Sequence, residues 1–152
     1  MIQRKQTLFL IIAIVLNIVC LCLPIGRLVF QGMGADAIMT NLWIQMADGT
    51  RDFSVWHLFV VLLLSCPITI WAIFSFKNRR RQMVLCHLCM LLMVLWYGAY
   101  CVVKFMMAPE MAADVQPAVA FFLPFVSLVF YFLARRGVKA DEALIRSMDR
   151  IR

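Results

Sequence analysis

Cys86-His87-Leu88-Cys89 carries the C-x-x-C spacing of thiol–disulfide and metal chemistry. Cys20, Cys22 and Cys101 are further thiols, and His57 and His87 are the two histidines. Each chemistry makes a geometric demand. A membrane disulfide-forming enzyme needs two cysteine pairs that exchange on the outer side. A bis-histidine haem needs both imidazoles at one depth. A soft-metal path needs converging thioethers. The eleven methionines are scattered instead, with Met106, Met107 and Met111 in one place and Met90 and Met93 in another. Whether any demand is met depends on the elements that hold these side chains.

Of the 152 residues, 64% are hydrophobic and 15% charged, and the mean hydropathy is +0.90. Soluble domains run to about 45–50% apolar and 25% charged, so the excess has to face lipid. Four apolar runs, at 8–25, 55–76, 83–103 and 115–134, approach the roughly 20 residues that a bilayer core requires. The expected fold is therefore all-α, a single domain of four transmembrane helices in an antiparallel bundle. Lys77, Arg79, Arg80 and Arg81 lie between the second and third runs, and Arg135 and Arg136 stop the fourth. The positive-inside rule places these cations in the cytoplasm. Twelve of the 15 Lys and Arg then fall on that side, and both termini with them. Because the cations border hydrophobic runs, the net charge of +7 reads as a topology signal and not as a nucleic-acid site.

This layout leaves outer loops at 27–52 and 104–114 and a cytoplasmic tail at 135–152. In the first loop Ile38, Met39, Leu42, Trp43 and Met46 fall at i, i+1, i+4, i+5 and i+8. That spacing predicts an amphipathic helix capped by Asp36. A strand hairpin turning at Asp48-Gly49 is the alternative. Ser54 is placed to cap the second run and Pro67 to kink it. The fourth helix is expected to start near Asp114, and Gly137 to end it.

At these depths His57 and His87 lie near opposite faces of the bilayer and cannot ligate one iron. Cys86 and Cys89 share a helix face on the reducing side, where small packing residues explain them equally well. The outer side offers three cysteines, not two pairs. No cofactor or metal site is assigned. No Asp, Glu, Lys or Arg lies within a run, whereas proton and ion carriers usually keep one there. Asn17 and Ser65 are the tenth and eleventh residues of their runs and Ser127 is the thirteenth of 115–134, near a common depth. Asn17 is expected to bond across the bundle to a hydroxyl, or to the carbonyl of Leu63 freed by Pro67.

In the tail Leu144, Ile145, Met148 and Ile151 form a narrow apolar stripe, flanked by Arg146, Asp149 and Arg150. The pattern predicts a short amphipathic helix whose stripe meets the bilayer, the protein's own inner face or a partner protein.

The opening Met1-Ile2-Gln3-Arg4-Lys5-Gln6-Thr7-Leu8 and the close Asp141-Glu142-Ala143-Leu144-Ile145-Arg146-Ser147-Met148-Asp149-Arg150-Ile151-Arg152 resemble the ends of a bacterial family of small four-span membrane proteins described only as a domain of unknown function. The resemblance implies a bacterial cytoplasmic membrane location and carries no activity or catalytic residue. The resulting expectation is a non-enzymatic accessory or interaction subunit. Its partners would be the lipid bilayer and another membrane protein. A four-span thiol–disulfide oxidoreductase and a small transporter are the alternatives.

Overall fold

The computed structural model describes residues 3–30, 35–75 and 78–149, with side chains described for 6–30, 35–75 and 78–143. Five helical segments occur in chain order: α1 Gln3–Cys22, α2 Trp56–Phe74, α3 Arg79–Val102, the single turn α4 Ala108–Glu110, and α5 Leu123–Asp149. The four long ones pack side by side in a ring, α1 against α2 and α5, and α3 against α2 and α5.

Each buries one seam with alternating steps of three and four residues. The seams are Gln6, Leu10, Ala13, Asn17 and Cys20 on α1, and Leu58, Leu62, Ser65, Thr69 and Ala72 on α2. On α3 they are Gln82, Cys86, Cys89, Met93, Trp96 and Tyr100, and on α5 Ser127, Tyr131, Ala134, Val138 and Asp141. This is the 3.5-residue repeat of knobs-into-holes packing. Small and polar side chains recur along every seam beside larger ones such as Leu10, Leu62, Met93 and Trp96, while Leu63, Trp71, Phe74, Val84, Leu91 and Val94 point outward. That distribution suits lipid, since apolar burial does not drive helices together there and close packing does.

The all-α, four-span expectation is corrected on two counts. Among the described residues, three helices are long and apolar enough to cross a membrane, Trp56–Phe74, Arg79–Glu110 and Val119–Ala143; the apolar part of α1, Gln6–Cys22, is shorter. α1 ends at Cys22, and the chain turns beside Pro24 into a strand. Second, the segments expected as loops form a five-stranded antiparallel sheet. Its strands are β1 Gly26–Phe30, β2 Ala37–Met39, β3 Ile44–Gln45, β4 Arg51–Asp52 and β5 Ala113–Pro117, in the order β4-β3-β2-β1-β5.

The predicted helix around Ile38 to Met46 is thus replaced by strands with period-two burial. Ala37, Met39 and Ile44 point inward, and Ile38 and Gln45 outward. The decisive partner is remote: β1 pairs with β5, from Gly26 opposite Pro117 to Phe30 opposite Ala113. That ladder supplies backbone bonds that no local signal announces. Gly49, with φ of 83°, makes the β3–β4 turn, helped by Thr50 Oγ1 donating to Asp48 Oδ1 at 2.9 Å. Ser54 does not cap α2. It donates from N and Oγ to Asp52, at 3.1 and 3.0 Å.

Gly26 is a close-approach glycine. A Cβ there would lie 2.9 Å from the backbone oxygen of Gln116. Backbone cannot swing aside as a side chain can, so Gly26→Ala is expected to cost about 1–3 kcal/mol, as overpacking does. Thermal unfolding in detergent should show the drop; an unchanged melting temperature would mean that β5 shifts freely.

The other boundaries also move. After α3 the helix continues through a π-helical turn, Val103–Met107, into α4. Widened turns of this kind re-aim a helix. The 115–134 span therefore begins later than expected, because residues 113–117 are committed to β5. A 3-10 turn, Val119–Phe122, leads into α5. Nor does Gly137 end that helix: α5 runs through it to Asp149. The expected separate tail helix is thus the continuation of a bundle helix. Gly137 lies under α1, where a Cβ would meet Gln6 Cγ at 3.0 Å.

Candidate functional site

Three buried polar clusters tie the helices together at three levels. At the middle level Asn17 is wholly buried. Its Nδ2 donates to Ser65 Oγ at 3.1 Å and to Tyr131 Oη at 3.0 Å. Ser65 Oγ in turn donates to the carbonyl of Leu62 at 2.6 Å, and Thr69 Oγ1 to that of Ser65 at 2.7 Å. The Thr69 proton being spent, the 2.6 Å contact between Thr69 and Tyr131 has the phenol as donor. Cys89 Sγ lies 3.5 Å from the same Thr69 oxygen. The protons therefore run in one direction, from amide through hydroxyls to two carbonyls of α2. One acceptor is left over, Asn17 Oδ1, which is buried without a partner.

Every member of this cluster is neutral, and its proton donors are committed to hydrogen bonds. The arrangement joins α1, α2, α3 and α5 and offers no activated nucleophile. Of the three residues placed at a common depth by sequence, Asn17 and Ser65 meet. Ser127 bonds separately, donating to the carbonyl of Ala13 at 3.3 Å. Tyr131 and Thr69 escaped the sequence reading. Their signal was present: each follows a seam serine by four residues.

The second cluster joins helices to sheet. Asn41, in the β2–β3 connection, is wholly buried. Its Oδ1 accepts from Trp96 Nε1 at 3.1 Å, and its Nδ2 donates to the carbonyl of Cys20 at 2.7 Å. That carbonyl belongs to the last turn of α1, where helix acceptors lack intrahelical donors. Cys20 Sγ donates to the carbonyl of Ala120 at 3.4 Å. Around Trp96 sit Tyr97, Tyr100 and Phe121, with ring centroids 4.6–6.2 Å apart.

At the far end Gln6 Nε2 donates to Asp141 Oδ2 at 2.6 Å, both residues being buried. This end also carries Arg79, Arg80, Arg81, Arg135 and Arg136. Asn78 caps α3, its side chain accepting from Arg81 N at 3.4 Å. The arginines 79–81 thus belong to the first turn of a helix and not to a loop. Lys77 lies outside the described residues. So do Arg150, Ile151 and the side chains of Leu144, Ile145, Arg146, Met148 and Asp149.

The thiols do not form pairs. All six cysteines are free; Cys20, Cys86 and Cys89 are buried, and Cys22 and Cys101 exposed. His57 sits in the first turn of α2 at the sheet end, and His87 lies toward the arginine end of α3. Among the described residues no three His, Cys, Asp or Glu side chains group to hold a metal ion.

The sheet turns one face away from the bundle. One register row crosses all five strands: Gln116, Arg27, Ile38, Gln45 and Arg51. All five are exposed, and the Arg51 guanidinium rests 4.8 Å from the Trp43 ring centroid. The opposite face, with Leu28, Met39, Ile44 and Val115, is buried on the bundle. Such a one-sided antiparallel sheet is ordered by the core beneath it and presents its wet face ready-made.

Residues 2–151 match the family model described as Domain of unknown function (DUF4293). No curated protein matches the chain.

Proposed function

We propose that this chain, which belongs to the DUF4293 family, is a non-enzymatic accessory subunit of a membrane assembly that binds its partner through the outer face of its sheet. The observation that carries the reading is the exposed row Gln116, Arg27, Ile38, Gln45 and Arg51 on a sheet anchored to the bundle by Asn41. Long amide and guanidinium side chains around one exposed isoleucine suit a protein contact of mixed polarity. The long apolar helices are those of a membrane-associated protein, and the positive-inside rule would set the arginine end in the cytoplasm and the sheet outside. In a bacterium that is the cytoplasmic membrane. The oxidoreductase alternative lacks the two outer cysteine pairs it needs, since Cys20 is buried and hydrogen-bonded and only Cys22 and Cys101 are exposed at that end.

The test compares wild type with an Arg27→Glu, Ile38→Asp variant, purified in mild detergent. Both side chains are exposed, so the variant should melt like wild type. A stoichiometric partner that accompanies wild type and is lost from the variant is the expected result. A partner retained by the variant would place the contact elsewhere.

A further inference from the structure

The arginine end carries a second surface, and it stands whether or not the sheet face binds a partner. On α3, Arg80, Val84, His87, Leu91 and Val94 recur at steps of four and three and form one stripe beside the buried seam. On α5, Leu128, Arg135, Lys139 and Glu142 form the facing stripe. A groove runs between them. Its section at the arginine end holds about 540 Å³ and is lined by Arg80, His87, Arg135, Lys139 and Glu142. The next section holds about 640 Å³ and is lined by Leu88, Leu91, Val94 and Leu128. Val84 and His87 line both, so the two sections adjoin.

We propose that this groove holds one anionic phospholipid, its phosphate on Arg80, Arg135 and Lys139 and one acyl chain along Val84, Leu91, Val94 and Leu128. Charge is the first argument. Three fixed cations face one carboxylate, that of Glu142, so the mouth of the groove favours an anion, and arginine matches phosphate with paired donors. Basic pockets between helices at a membrane surface bind anionic headgroups for this reason. Length is the second argument. From Arg80 to Val94 a helix rises about 21 Å at 1.5 Å per residue. One leaflet, half of a bilayer of about 40–45 Å with its headgroups, is the same length. The change from cation to aliphatic along the stripe therefore falls where headgroup gives way to chain. Side-chain size weighs against another helix as the occupant. Helix contacts in membranes favour Gly, Ala and Ser, whereas Val84, Leu88, Leu91 and Val94 are bulky and 42–64% exposed.

The experiment is lipid titration of the full-length protein in detergent, followed by native mass spectrometry. Phosphatidylglycerol is compared with phosphatidylcholine of the same chains. One phosphatidylglycerol should bind at least tenfold more tightly than phosphatidylcholine. Arg80→Gln, Arg135→Gln, Lys139→Gln together should abolish that preference, and Arg27→Gln at the sheet end should not. Lys139→Gln alone, an exposed change that leaves the fold intact, should reduce it about threefold. Leu91→Trp, which fills the apolar section, should weaken binding of the diacyl lipid and leave the binding of soluble glycerol phosphate unchanged. Equal affinity for the two lipids overturns the proposal, as does a preference that survives loss of the three cations. So does cross-linking from Leu91 to a second copy of the chain in place of lipid.

Discussion

Trp96→Ala is expected to lower stability by about 3–5 kcal/mol, as the loss of a large buried ring does. Trp96 is fully buried on the α3 seam, and its rim is built from Tyr97, Tyr100 and Phe121. It also holds Asn41 through a 3.1 Å bond, and Asn41 holds the last turn of α1. Removal therefore opens a cavity and strips a donor from a buried amide in one step. Trp96→Phe separates the two effects. It keeps most of the ring and leaves Asn41 Oδ1 unpaired, at a cost of about 1–3 kcal/mol. Unfolding in detergent followed by circular dichroism gives both numbers. Hydrogen exchange adds a spatial check, because sheet amides in residues 26–52 should lose protection before those of the helices. A loss below about 1 kcal/mol for the alanine variant would show that the sheet does not depend on this junction.

The second large effect is at Tyr131. It is wholly buried where α5 meets α1 and α2, and Tyr131→Ala should cost about 3 kcal/mol or more through lost packing. Tyr131→Phe keeps that packing and removes only the hydroxyl, which receives a proton from Asn17 and gives one to Thr69. Hydrogen bonds between membrane helices average about 0.6 kcal/mol and reach about 1.7. The phenylalanine variant should fall within that range, well short of the alanine one. A double-mutant cycle of Tyr131→Phe with Asn17→Ala isolates the pair. Zero coupling would mean that the two groups find other partners, and that the cluster fills space without directing how the helices pack.

The amino-acid sequence by itself determined the elements whose signals are local. Apolar runs of about a bilayer core's length mark α2, α3 and the first part of α5, because lipid leaves the backbone no partner except its own helix. Lys77, Arg79, Arg80 and Arg81 mark the boundary between the second and third runs, since a cluster of cations stops an apolar run. The mid-run positions of Asn17 and Ser65 were readable too, because rank within a run is depth. The tertiary structure decided what depends on distant partners. Ile38 to Met46 carry a spacing that fits a helix, yet the segment forms strands with the turn at Asp48-Gly49 that was its alternative, because β1 pairs with β5 almost ninety residues away and Asn41 anchors the hairpin on Trp96. The start of α5 moved for the same reason, since residues 113–117 were taken by that ladder. Gly137 looked like a stop and is a point of helix contact, because Gln6 of α1 lies over it and bonds Asp141 one turn on. Tyr131 and Thr69 looked like ordinary span residues until four seams were brought together. In lipid, hydrophobicity does not tell the inside of a bundle from the outside. Only packing shows which polar side chains meet.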